Sequence, residues 1–114
     1  MCIRDSRCFY AGASAFAFKP GAALASCRRT GGAPTLEQLQ KYLTINNMPV
    51  VSSCYWNVIH GNAPEETVQD LEGMRILRTL GRNMAWLLAC IEAGRAAQVT
   101  PPVPEEVVKT NFIR

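Results

Sequence analysis

Ala22-Ala23-Leu24-Ala25 is an apolar run with no polar alternation, and it closes on Ser26-Cys27 before Arg28-Arg29 and the Gly31-Gly32 pair. A strand without alternation is one buried on both faces, which is the habit of parallel sheets. Parallel strands cannot be joined by a tight turn and need a crossover, usually a helix. The chain supplies one. Pro34 and Thr35 open a helix with Glu37 in its first turn, and Leu36, Leu39 and Leu43 recur at helical spacing as far as Ile45. Asn46-Asn47 can end it, and Met48–Ser52 (MPVVS) then reads as a second, valine-rich strand. Strand Ala22–Ser26, helix Thr35–Ile45 and strand Met48–Ser52 form a βαβ unit with a right-handed crossover, so the expected class is α/β.

Two loops leave the carboxyl ends of these strands, the edge of a parallel sheet where ligands bind. In Ser26–Gly32, adjacent glycines let backbone N–H groups approach a flat ligand and permit positive φ. Arg28 or Arg29 could place positive charge beside an electron-rich ring or a phosphate. In Ser53–Gly61 (SCYWNVIHG), Tyr55, Trp56, Asn57 and His60 are crowded together. The aromatics can stack on a planar cofactor, and His60 could orient a ring carbonyl or shuttle a proton. Taken singly, Ser26–Gly32 reads more readily as a solvated turn with two surface arginines, and Ser53–Gly61 as a part-buried aromatic cluster with a satisfied histidine. Cys27 stands at the strand end with His60 as its one candidate base. No third partner is identifiable, so a cysteine nucleophile is not expected. Cys54 keeps less electropositive company, and Cys90 reads as core. No G-x-G-x-x-G, Walker A loop or paired-carboxylate motif is present.

A long helix is expected over Pro64–Ala93. Asn62 reads as its cap and Gly94 as its end. Val68, Leu71, Met74, Leu77, Leu80, Met84, Leu87, Leu88 and Ile91 trace one apolar face. Glu65, Glu66, Asp70 and Glu72 lie early and Arg75, Arg78, Arg82 and Arg95 late, which suits the helix macrodipole. Such a helix is about 45 Å long, more than a small sheet needs, so part of it is expected to pack on a second copy of the chain. Val99–Pro104 (VTPPVP) reads as an extended linker, and Glu105–Arg114 as a polar tail. The expected organisation is an N-terminal segment over 1–20, a half-domain over 21–98 and a tail over 99–114.

The 114 residues suffice for one domain, and 48% hydrophobic residues allow a packed core. The net charge of +3 comes with no basic stripe or aromatic platform, so nucleic acid is not an expected partner. Five scattered cysteines and one histidine include no C-x-x-C pair. No metal is expected, and reduced thiols in a cytoplasmic setting are. No apolar run approaches the roughly 20 residues of a membrane span. The Cys8–Phe18 stretch after Arg4 and Arg7 mimics a signal peptide, but it is only weakly hydrophobic. Met1–Ser6 (MCIRDS) fits no element. It resembles a peptide translated from sequencing-adapter DNA, so the authentic start is expected upstream.

FYAGASAFAFKPGAALASCRRTGG, NNMPVVSSCYWNVIHGNAPEE and DLEGMRILRTLGRNMAWLL together resemble the C-terminal half of the NADPH-dependent FMN reductase-like family of flavodoxin-fold proteins. The closing TNFIR is similar too. The resemblance covers roughly residues 7–114. It implies a partial flavodoxin-like, doubly wound parallel sheet, with Ala22–Ser26 as the fourth strand and Pro49–Ser52 as the fifth. It implies FMN at the strand carboxyl ends, with NADH or NADPH as reductant, and assembly as a homo-oligomer. Carried over, Ser26, Cys27, Arg28, Arg29, Gly31 and Gly32 would line the isoalloxazine. Tyr55, Trp56, Asn57 and His60 would form the adjoining pocket or a subunit contact. No hydroxyl-rich phosphate loop precedes Ala22, so this chain is expected to bind FMN poorly. A rival reading is an electron-transfer flavoprotein without nicotinamide. Another is a cofactor-free module that dimerises through the long helix.

Overall fold

The structure, a computed structural model, describes residues 3–106 and residue 108. Met1-Cys2 and most of the Glu105–Arg114 tail lie outside the described residues. The elements in chain order are α1 (Ile3–Ala11), α2 (Ala13–Phe16), β1 (Ala25–Cys27), α3 (Gly32–Ile45), β2 (Val58–His60), α4 (Pro64–Thr67) and α5 (Leu71–Ala96). The architecture is mixed α/β around a two-stranded parallel sheet. Met1–Ser6 is expected to fit no element, but α1 begins at Ile3, and α1 and α2 make residues 3–16 largely helical. Phe9 stacks on Tyr42 at 5.2 Å and meets Phe16 at 5.0 Å, which docks α1 on α3.

The second strand is not where valine content puts it. β1 and β2 pair in the register Ala25↔Val58, Ser26↔Ile59 and Cys27↔His60. Met48–Ser52 contributes only the parallel bridge Gly21↔Val50, held by Gly21 N–H to the Pro49 carbonyl at 2.9 Å and Val51 N–H to the Gly21 carbonyl at 2.8 Å. From Gly21 to Ala25 one chain advances four residues, while from Val50 to Val58 its partner advances eight. The difference is an excursion of the partner chain, and Tyr55 and Trp56 lie on it. Asn57 fastens its end. Its Nδ2 donates to the Ala23 carbonyl at 3.0 Å, and its Oδ1 accepts from the Ser53 hydroxyl at 2.6 Å.

Helix starts also differ from expectation. α3 begins at Gly32, ahead of Thr35, because Gly31 takes the left-handed φ of 91° that turns the chain out of β1. The long helix is interrupted. A short turn of helix, α4, is followed by a fresh start at Leu71, where Asp70 Oδ1 accepts from Gly73 N–H at 2.9 Å. Asn62 makes no side-chain cap; its N–H donates to Glu66 Oε2 at 2.7 Å. α5 runs past Gly94 to Ala96.

Ala23, Ala25, Leu36, Val51, Ile59, Ile76 and Leu80 form the core. Successive strand residues face opposite sides of a sheet. A Cβ on Gly32 would meet Val58 and Cys27, and one on Gly73 would meet Ile59, so α3 and α5 cover opposite faces. The restart at Asp70 explains why Ile76, outside the expected apolar stripe, is the most buried of these side chains, while Leu71 is 76% exposed.

The chain leaves unusual amounts of surface open. Its accessible area is 9115 Å², against about 6,200 Å² for a compact monomer of this mass. Its radius of gyration is 17.3 Å, against about 13 Å. Ala22, Leu24 and Ser26 turn their backbone groups away from β2, toward an edge with no strand beside it among the described residues. Leu24 on that edge is exposed, as are Trp86 and Leu88 on α5. No helix among the described residues is long and apolar enough to cross a membrane.

Candidate functional site

A cavity of about 340 Å³ opens beside the carboxyl ends of β1 and β2. Cys27 and Val58 belong to the sheet at its base. The Thr30–Pro34 turn into α3 forms one wall, Tyr55 and Trp56 form another, and His60, Asp70, Gly73 and Ile76 close it toward α5. The volume lies at the lower end of small-molecule sites, about 300–1,000 Å³. The lining is mainly apolar with a few polar groups among it, the composition such sites share.

Each wall has a local cause. Gly31 and Gly32 bring backbone close to the sheet. A Cβ on Gly32 would stand 2.6 Å from Val58 Cγ1 and 3.1 Å from Cys27 Sγ, so only glycine lets the helix start lie this near the strands. No side chain caps α3, so its first N–H groups point outward with the positive end of the helix dipole. The aromatic rings of Tyr55 and Trp56 lie 5.1 Å apart and are 60% and 61% exposed, flanking the opening. Tyr55 N–H donates to Ser53 Oγ at 3.3 Å, which ties the aromatic pair to the excursion that carries it.

His60 and Asp70 make the polar end. His60 N–H, on the outer edge of β2, donates to Asp70 Oδ2 at 2.8 Å. The same oxygen stands 3.5 Å from His60 Nδ1. The N–H groups of Gly73 and then His60 hold the Asp70 carboxyl below its ordinary value near 3.8, so it stays ionised. The carboxylate thus links the edge strand to the first turn of α5 and supports the histidine.

Of the residues expected at a site, Cys27, Arg29, Gly31, Gly32, Tyr55, Trp56 and His60 line this one cavity. Ser26, Arg28 and Asn57 do not. Ser26 is exposed on the opposite strand face, and Arg28 lies on an adjoining polar groove with Arg29, Glu66 and Gln69. Asn57 is 3% exposed and serves the strand excursion. Sequence reasoning missed Asp70, Ile76 and Pro34 as lining residues. Asp70 carries a legible signal, an aspartate directly before an apolar-periodic run. Among the described residues no group of three His, Cys, Asp or Glu side chains is placed to hold a metal ion. No protein-family model, curated protein or solved structure matches the chain.

Proposed function

We propose that the cavity is the ring-binding part of a flavin site, in a chain that represents the C-terminal half of a flavodoxin-like, FMN reductase-like domain. In this reading the parent protein is a cytoplasmic oxidoreductase that passes hydride or electrons from NADH or NADPH through FMN to an acceptor. The observation that carries it is the convergence of Gly31–Gly32 backbone, Tyr55, Trp56 and His60 on one largely apolar cavity. A planar ring would stack against the aromatic pair, with the outward N–H groups of α3 and Arg29 beside its electron-rich edge. A bound flavin would supply the redox chemistry, and the protein position and charge. The fit stops at the ring. Arg28 and Arg29 share their groove with Glu66 and Asp70, which oppose an anion, so this groove does not form a phosphate cradle beside the cavity.

Equilibrium titration with lumiflavin and FMN tests this. The two should bind similarly and more weakly than about 1 μM, because the ring alone makes contacts. Trp56→Ala should weaken both. Binding of neither ligand sinks the ring site. Micromolar FMN affinity with cooperative thermal unfolding sinks the half-site. A second reading has its own support. Exposed Trp86 and Leu88 on α5 favour a homo-oligomer formed through that helix. Concentration-dependent sedimentation that Trp86→Ser abolishes would support it, and a monomer at all concentrations would end it.

A further inference from the structure

We propose that Cys27 is a nucleophile toward small α,β-unsaturated carbonyl compounds, with His60 as its base and Asp70 as a positioning residue. The inference is independent of the flavin reading. Cys27 and His60 are register partners in the parallel ladder, so their side chains rise from the same sheet face on strands about 4.8 Å apart. Both line the cavity, so a bound molecule meets both. The partner that the sequence alone did not reveal is Asp70, 3.5 Å from His60 Nδ1. An ionised carboxylate there favours the proton on Nδ1 and leaves Nε2 to accept one. A thiol, a histidine and a carboxylate that orients the histidine therefore line one cavity.

The rest of the cavity fits the electrophile. Val58, Ile76 and Pro34 offer apolar contact to a small enone. The sulfur abuts the uncapped start of α3, where the N–H groups and Arg29 offer positive charge to a carbonyl oxygen that becomes negative as the bond forms. The step balances without a co-reactant. His60 takes the thiol proton, Sγ bonds to the β-carbon, and the C=C electron pair moves onto the enolate. His60 then returns the proton to the α-carbon. The net change is addition of S–H across the double bond. The titratable and charged groups that share the cavity with Cys27 are Arg29 from its own loop, His60 from β2, and Asp70 and Glu72 from the α5 side.

The test uses the full chain without flavin, with 2-cyclohexen-1-one as probe and mass-spectrometric mapping of each cysteine. Cys54 and Cys90 are exposed and Cys27 is only partly so, and accessibility alone would make Cys27 the slowest. The expected result is the reverse, with saturable alkylation of Cys27. His60→Gln should lower kinact about 100-fold with KI unchanged. Asp70→Asn, which keeps an acceptor for the helix cap, should lower kinact roughly tenfold with KI again unchanged. Unchanged rates at Cys54 and Cys90 in each variant show that the fold persists. If His60→Gln disturbs them, Asp70→Asn and the wild-type selectivity still decide. Cys27 reacting no faster than Cys54, rates that do not saturate, or variants that change only KI would each overturn the proposal.

Discussion

Replacing Asp70 by alanine removes one carboxylate that serves two elements. Oδ1 caps α5 through Gly73 N–H at 2.9 Å, and Oδ2 accepts from His60 N–H at 2.8 Å on the outer edge of β2. Losing an aspartate N-cap costs about 0.5–2 kcal/mol. The His60 N–H lies on an edge and can turn to water, so its share is the net worth of a hydrogen bond, about 1 kcal/mol. Together the loss is about 2 kcal/mol, or roughly 30-fold in a local opening equilibrium. With seven buried apolar side chains in the core among the described residues, the effect is best read locally. Native-state amide exchange by NMR is the assay. Gly73, Met74 and His60 should lose about 30-fold protection in Asp70→Ala, while α3 amides such as Leu39 hold theirs. The pH dependence follows from the same contacts. Gly73 and His60 N–H depress the folded carboxyl below 3.8, so its stabilisation is full above that value and is lost as pH falls through the lower folded one. Wild type and variant should therefore converge in acid. A change under threefold, or one spread evenly into α3, refutes the reasoning.

Asn57→Ala leaves the buried Ala23 carbonyl without its partner and should cost about 1–3 kcal/mol, seen as faster exchange of the Ala25 amide, which donates to the Asn57 carbonyl. Gly32→Ala drives a Cβ to 2.6 Å from Val58 Cγ1. The strain of about 1–3 kcal/mol exceeds the helix-propensity gain of about 1 kcal/mol, and shifted Val58 methyl resonances would report it. Gly31→Ala meets no atom within 4 Å but must hold a φ of 91°, so it should cost only about 1–2 kcal/mol, with Val58 undisturbed.

Much of the frame was legible because it rests on burial. The leucine spacing after Pro34 located α3. The apolar run before Ser26 pointed to β1, but the strand is Ala25–Cys27 rather than Ala22–Ser26. Nor is the run buried on both faces, because Leu24 and Ser26 are exposed on an open edge. What escaped was set by pairing geometry. Valine content marked Met48–Ser52 as the partner strand, yet the ladder resumes only at Val58 because the partner chain makes an excursion. No periodicity encodes that detour, which is fastened by one asparagine to a carbonyl 34 residues away. It moves Tyr55 and Trp56 from beyond a strand end to the approach of one, and leaves His60 at the end beside Cys27. The helix break at Asp70 was hidden for a related reason. Val68 and Leu71 continue the apolar rhythm across it, so the stripe looked continuous. Both are exposed, and the restarted helix buries Gly73 and Ile76 beside Leu80 of the expected stripe. The cavity joins these misread features. Its glycine wall was foreseen, and its aspartate was not.

The flavin reading stands on the cavity between the Gly31–Gly32 turn and the Tyr55–Trp56 pair taking a planar ring. The most direct measurement is an amide chemical-shift map of the full chain titrated with lumiflavin. Saturable shifts are expected at Gly31, Gly32, Trp56, Val58 and His60, with quenching of Trp56 rather than Trp86 fluorescence. Shifts confined to the α5 surface around Trp86, or none at all, would contradict it.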